Sequence, residues 1–326
     1  RVIGGNGASQ ILGNMNANGQ VWLINPGGVV IGKGATINVA GLVASSANIS
    51  DSDFLAGKTK FTGAMGNIVN QGKINSQGVV ALIGQQVTNQ GTINAKGVAL
   101  AAGQDVNLDF NGDGLISVQV TKGALDALVS NEGQISADGS AVVLTARAAD
   151  AAISSVVNNT GVIEARSLQS KNGRIVLDND AANGNTTVAG TLNVSSADGV
   201  GGNVVLEGKS IAIDNAAIKA DGALGGGTIR IGGGLHGEDA AVSNATAVTT
   251  GRNVVLSADA TQKGNGGTIA VWSDGTNAFS GEIFIRGGKN GGDGGFAEVS
   301  GLGNLTYRGY TNGLSAHGLT GTLLLD

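Results

Sequence analysis

Residues 68–103 read IVNQGKINSQGVVALIGQQVTNQGTINAKGVALAAG, and they state nearly the same unit twice. Asn70-Gln71-Gly72 with Ile74-Asn75 returns as Asn89-Gln90-Gly91 with Ile93-Asn94, and Gly78-Val79-Val80-Ala81-Leu82 returns as Gly97-Val98-Ala99-Leu100-Ala101. Gly72 to Gly91 and Gly78 to Gly97 are both 19 positions. A fixed period near 20 marks a solenoid coil, a unit too small to bury its apolar side without stacking on its neighbours. Each unit holds two short β-prone runs parted by Gly and Asn, with no helical period between them, so the coils are strands stacked on strands. The same grammar continues through Asn131-Glu132-Gly133 and Asn159-Thr160-Gly161, then through Val- and Ile-rich runs opened by Gly173, Gly202, Gly227, Gly267 and Gly295. Spacing widens along the way, so the insertions 109–126 and 235–250 are expected outside the stack, where loops are tolerated. Residues 124–129 are the one segment expected to form a helical turn.

Composition narrows the class. With 58 Gly and 1 Pro in 326 residues, turns are frequent and rigid kinks few. Aromatics are only 3% against 41% hydrophobic residues, so the core is built of Val, Ile, Leu and Ala in thin layers. Charged residues are 13% and the net charge is −5, which leaves no basic footprint for nucleic acid. Without Cys there are no disulfides or thiolate metal sites. No apolar run approaches the roughly 20 residues that span a bilayer. The Asn before each repeated Gly suits a corner, because Asn tolerates the left-handed region and bonds its own backbone; stacked coils would also align these amides into a ladder.

Upstream, Val21-Trp22-Leu23-Ile24 and Val29-Val30-Ile31 flank Asn25-Pro26-Gly27-Gly28. Pro presets φ for a turn and Gly supplies the positive φ that follows, which predicts a hairpin or a corner. The run Asn18-Gly19-Gln20-Val21-Trp22-Leu23-Ile24-Asn25-Pro26-Gly27-Gly28-Val29, then Gly41-Leu42-Val43-Ala44-Ser45, resembles the secretion domain of two-partner-secretion exoproteins, the filamentous-haemagglutinin and high-molecular-weight adhesin family. That family's usual motif is Asn-Pro-Asn-Gly-Ile/Val; Gly27 stands at the second Asn and Val29 at the Ile position. The resemblance continues through Asp51–Gly57, the duplicated coils, 108–114 and 156–166, and returns at Gly321-Thr322-Leu323-Leu324-Leu325-Asp326.

The resemblance implies an all-β fold, a right-handed parallel β-helix with short extra-helical loops and hairpins. The hand also follows from the crossover preference of parallel strands. It implies export by an outer-membrane β-barrel transporter to the outside or surface of a Gram-negative bacterium. It assigns 1–108 to the C-terminal part of the secretion domain and 109–326 to further coils of one continuous solenoid, and it places the family's signal peptide and N-terminal cap ahead of Arg1. Asn25, Pro26, Gly27 and Gly28 would form the transporter-recognition and nucleation turn.

Other candidate sites carry two readings each. Asp109-Phe110-Asn111-Gly112-Asp113-Gly114 matches the first half of a calcium loop, with oxygen ligands at Asp109, Asn111 and Asp113, but Val120 occupies the place of the closing acid. A polar turn is the alternative. Trp272, Tyr307 and Tyr310 would either stack on sugar rings or pack and cap the last coils. His236 and His317 are the only imidazoles; only Glu238-Asp239 adjoins the first, and neither sits with an acid pair suited to catalysis. No cofactor is expected beyond calcium, and no enzyme. The leading function is a secreted or surface adhesin that attaches to a host-cell or matrix glycan or protein receptor. A ligand-capture exoprotein of the haem-acquisition type is the alternative, followed by a β-helix polysaccharide lyase or hydrolase.

Overall fold

The computed structural model describes residues 1–2, 7–110, 116–150, 152–167 and 172–326. Among them, three parallel sheets carry eleven strands each. The chain visits the sheets in rotation. Val29–Ile31 lies in the first, Thr36–Val39 in the second and Gly41–Ser45 in the third. Ile68–Asn70 then returns to the first sheet and pairs in parallel with Val29–Ile31. The doubled stretch occupies two successive turns in register, with Asn70 opposite Asn89, Ile74 opposite Ile93 and Val80 opposite Val98.

Register follows from side-chain alternation. Along the second sheet Ile37, Ile74, Ile93 and Ile135 fall in one column, each at most 1% exposed. Burying one such side chain contributes about 1.5–3 kcal/mol, and a one-residue slip would turn the column to solvent. In the third sheet Leu82, Leu100 and Leu144 form the matching inward column. The residues between them, Ala81, Ala99 and Val143, face outward yet are also buried.

Contacts divide the chain into two compact units, 1–137 with 141–162, and 138–140 with 163–326. In the first, a small antiparallel sheet of Lys60–Phe61, Asp105–Phe110 and Ile116–Lys122 stands outside the stack, with Phe61, Val106 and Leu108 buried. The expected loop after Asp109 is therefore half of a ribbon. The helix also lies elsewhere than expected: it is Asp51–Leu55, while 124–127 make a bridge and turn and Leu128–Asn131 is a strand. Ser50 explains the position, since its hydroxyl accepts from the Asp53 amide at 3.0 Å and two acids sit in the first turn. At the other segment, the alternation that buries Val129 and Asn131 in the first sheet overrides helix propensity.

The repeated glycines mark places where backbones of successive coils approach closely. Gly72, Gly91, Gly133 and Gly161 have no positive φ. They stack on one another: a Cβ at Gly91 would lie 2.0 Å from the Gly72 carbonyl oxygen, and one at Gly161 2.1 Å from that of Gly133. Close approach of backbones, not left-handed geometry, requires Gly there. The second unit repeats the three-sheet rotation, but its first-sheet strands end in Val188, Ile213, Thr250, Phe279 and Tyr307 where the first unit has Asn.

Candidate functional site

The segment at Asn25 is a corner between strands of different sheets, Gln20–Ile24 of the third and Val29–Ile31 of the first, and not a hairpin. The Gly28 amide donates to the Asn25 carbonyl at 2.8 Å, closing a four-residue turn with Pro26 at its second place. Gly28 takes φ +100°, and a Cβ there would lie 2.4 Å from the Asn67 carbonyl oxygen. Gly27 is not among the positive-φ residues, so the position where relatives of the family carry Asn has no conformational need for Gly.

Asn25 itself is 1% exposed. Its Nδ2 donates to the Gly7 carbonyl at 3.0 Å and to Ser9 Oγ at 2.9 Å, while its Oδ1 accepts from the Gly27 amide at 2.9 Å. Its backbone amide reaches the Ser45 carbonyl at 2.9 Å. One residue thus ties the start of the first turn to the corner and to the neighbouring strand of the third sheet. In the folded unit its side-chain amide faces inward, and only Pro26 and Gly27 are half-buried at the surface.

Beside the corner, Trp22 lies on the outer face of the third sheet, 5.1 Å edge-on from Phe54 of the helix and 5.7 Å from Phe61. A cleft of about 390 Å³ opens there between Trp22, Val43, Phe54, Thr59 and Val79.

The asparagines before the repeated glycines form one of two rows. Asn70 Nδ2 donates to Asn89 Oδ1, Asn89 to Asn131 and Asn131 to Asn159, at 2.7, 2.7 and 2.8 Å, and all four are fully buried. A second row, nearer the surface, runs the opposite way from Asn94 through Asn75 and Asn38 to Asn16, at 3.0, 2.8 and 2.8 Å. None of these residues takes a positive φ, so the ladder and bonds to backbone two residues on, such as Asn159 Nδ2 to the Gly161 carbonyl at 3.2 Å, account for Asn. The 19-residue recurrence of Asn75 and Asn94 is the sequence signal for the second row.

In the second unit, His236 and Glu238-Asp239 do not act together. The His236 amide donates to Glu298 at 3.0 Å, and Glu298 is only 1% exposed; Asp239 instead pairs with Arg230 at 3.2 Å. Glu298 faces outward from its strand, and the Gly232–Gly237 loop covers it. Trp272 lies under the same loop, 8% exposed, with Nε1 donating to Asp274 at 2.8 Å. Cβ atoms at Gly233 and Gly237 would come within 2.7 and 2.5 Å of its ring. Its faces are covered by backbone. Tyr307 stacks on Phe279 with centroids 5.6 Å apart, and its hydroxyl meets Thr311 at 2.8 Å. Of the three aromatics, Tyr310 alone is exposed, at 54%.

Arg286 pairs with Asp259. Its Nε and Nη2 both reach Asp259 Oδ2, at 3.0 and 2.6 Å, and its own amide holds the other oxygen. These bonds hold the guanidinium above its ordinary value. Neither Asp259 nor Glu298 is marked by spacing in the sequence, because their partners lie 27 and 62 residues away.

Asn111 and Asp113 of the half calcium loop lie outside the described residues, and Asp109 sits in the ribbon opposite Ser117. Among the described residues no three His, Cys, Asp or Glu are grouped to hold a metal, and no helix is long and apolar enough to cross a membrane.

Rotation through three parallel sheets, with an Asn-Pro-Gly-Gly corner at the head of the stack, defines the class: a right-handed parallel β-helix of the secretion-domain type. A family model described as the TPS secretion domain matches residues 1–194, and the chain belongs to that family. The chain is similar to the solved HMW1 secretion domain from Haemophilus influenzae, with TM-score 0.77 and 28% identity, covering 94% of this chain and 80% of that one. It is 38% identical over 226 residues to a heme/hemopexin-binding protein of Haemophilus influenzae, covering 61% of this chain and 24% of the relative. A protein of the same description from Haemophilus influenzae strain KW20 / Rd is 39% identical over 192 residues, covering 55% of this chain and 21% of the relative. The chain therefore spans about a quarter of the length of these curated relatives. Membership makes it part of an exoprotein secreted by, or held at the surface of, a Gram-negative bacterium, with an outer-membrane transporter as export partner.

Proposed function

We propose that the chain is the export and nucleation module of a surface adhesin, and that the transporter reads the Asn25-Pro26-Gly27-Gly28 segment before it folds. The observation that carries this reading is the full use of the Asn25 amide inside the folded corner, by Gly7, Ser9 and Gly27. A transporter meets that amide only while the chain is unfolded. Once outside, the same amide joins the first turns and gives the following coils an edge to stack on. Burial of the Ile and Leu columns then favours the exported side. Substituting Asn25 and measuring the amount of chain outside the cell tests the reading.

The exoprotein's task is attachment to cells, surfaces or matrix polysaccharide, and the module acts by binding, not catalysis. The carboxylates Asp259 and Asp239 are paired with Arg286 and Arg230. A second reading, capture of a host haem-carrier protein, is favoured by the description of the two relatives as heme/hemopexin-binding. Attachment of cells bearing the full exoprotein to epithelial or polysaccharide-coated surfaces, compared with pull-down of a soluble haem carrier, separates the two. Loss of attachment on deletion supports the first, and carrier binding without attachment supports the second.

A further inference from the structure

We propose that the cleft beside Arg286 in the second unit binds an anionic saccharide, one bearing a carboxylate or sulfate on its ring. The cleft has a volume of about 540 Å³ and is lined by Thr261, Arg286, Lys289, Leu314, Ser315 and Ala316 among others. Its chemistry comes from a guanidinium that is fixed yet half-exposed. Asp259, with a side chain 6% exposed, holds Nε and Nη2, whereas the Arg286 side chain is 50% exposed. Nη1 keeps both hydrogens, with no acceptor among the described residues. An Arg held rigid by a buried acid loses little side-chain freedom when it takes up a second anion.

The flanking groups suit a sugar. Arg286 lies 5.1 Å over the Phe284 ring, and the Tyr310 ring meets Phe284 edge-on at 6.3 Å. Tyr310 stands beyond Phe284, outside the lining of the cleft and 54% exposed, where the second ring of an oligosaccharide would meet it. Lys289 is exposed and forms no ion pair among the described residues, so it supplies a second cation to the cleft. Three further acids stand around it: Asp221 turns its Oδ1 to the Ser257 hydroxyl and the Asp259 amide, Asp293 accepts from the Leu319 amide, and exposed Glu282 lies opposite Tyr310 on the neighbouring strand. A fixed guanidinium and an exposed ammonium, with an aromatic ring further along the same face, favour an anion carried on a ring over a neutral sugar.

The proposal rests on the attachment reading, and its test is separable from it. Calorimetric titration of the full chain with tetragalacturonate, its methyl ester and a sulfated tetrasaccharide reads the chemistry directly. Binding of at least one charged saccharide, with affinity at least about tenfold above that of the neutral ester, is expected. Uronate-only and sulfate-only binding both support the site and identify the anion. Lys289→Ala and Tyr310→Ala, both at exposed positions and checked for parent-like urea midpoints, should each weaken binding by about tenfold. Equal binding of the ester, no binding of either charged saccharide, or wild-type affinity in both variants overturns the site. If cells exporting the Lys289→Ala/Tyr310→Ala chain at normal levels still attach, the site fails while attachment stands. If cells with the unaltered exoprotein fail to attach although the purified chain binds, the attachment reading fails instead.

Discussion

Replacing Asn89 by Ala removes the middle of the buried ladder. Asn70 Nδ2 loses its acceptor and Asn131 Oδ1 its donor, both in residues with no exposed surface. Leaving a buried amide group unsatisfied costs about 1–3 kcal/mol, so two orphaned groups cost about 2–6 kcal/mol. Asn94→Ala removes one rung of the partly exposed row, a 3.0 Å bond to Asn75, and water replaces it at about 0–1 kcal/mol. With a urea slope of about 3 kcal/mol/M, the first substitution lowers the midpoint by about 0.7–2 M and the second by about 0.3 M at most. Hydrogen exchange gives the local readout, because the Gln90, Gly91, Glu132 and Gly133 amides all bond to the carbonyls of Asn70 or Asn89. These amides should exchange faster in Asn89→Ala and at the parent rate in Asn94→Ala. Midpoints for the two variants within about 0.2 M of each other would mean that burial does not make the inner row the stabilising one.

Asn89→Asp should be destabilised in a pH-dependent way. A carboxylate at 89 accepts from Asn70 but has nothing to donate to Asn131 Oδ1 unless it is protonated, so the folded state raises its pKa. Stability is then nearest the parent's below the unfolded value of about 3.9 and falls as pH rises through the folded value; a flat difference between about pH 3 and 8 contradicts this. Gly28→Ala, at φ +100° and 2.4 Å from Asn67, should lower stability by about 1–3 kcal/mol, whereas Gly27→Asn should lie within about 0.5 kcal/mol of the parent by urea titration.

Much of the fold is legible from 68–103 because stacking makes sequence neighbours into structural copies. A coil of 19 residues puts Asn70 on Asn89 and Ile74 on Ile93, so periodicity and contact coincide. Legibility falls where that coincidence fails. The Trp22–Phe54–Phe61 cluster joins the third sheet to a helix and a ribbon outside the stack, and nothing in its spacing announces the contact. Arg286 sits four residues from Glu282 in sequence, yet strand alternation and the coil bring it to Asp259. Likewise the repeated Gly suggests positive φ, since a sequence shows small size and conformational freedom as the same letter. Only the 2.0 Å approach at Gly91 tells the two apart. Trp272 is an attractive sugar platform by composition, and the glycines that let backbone close over it, Gly233 and Gly237, lie 35 or more residues upstream.

Whether the Asn25 corner serves export as well as folding is decided most directly by the fraction of full-length exoprotein found outside cells that carry its outer-membrane transporter. Asn25→Ala, Asn89→Ala and Gly27→Asn are compared side by side. Asn25→Ala should leave most of the chain inside, Gly27→Asn should be exported as the parent is, and Asn89→Ala, although less stable, should retain most of its export. Parent-level export of Asn25→Ala, or equal loss in Asn25→Ala and Asn89→Ala, would contradict a role in export, the second result reducing the corner to one stabilising contact among many.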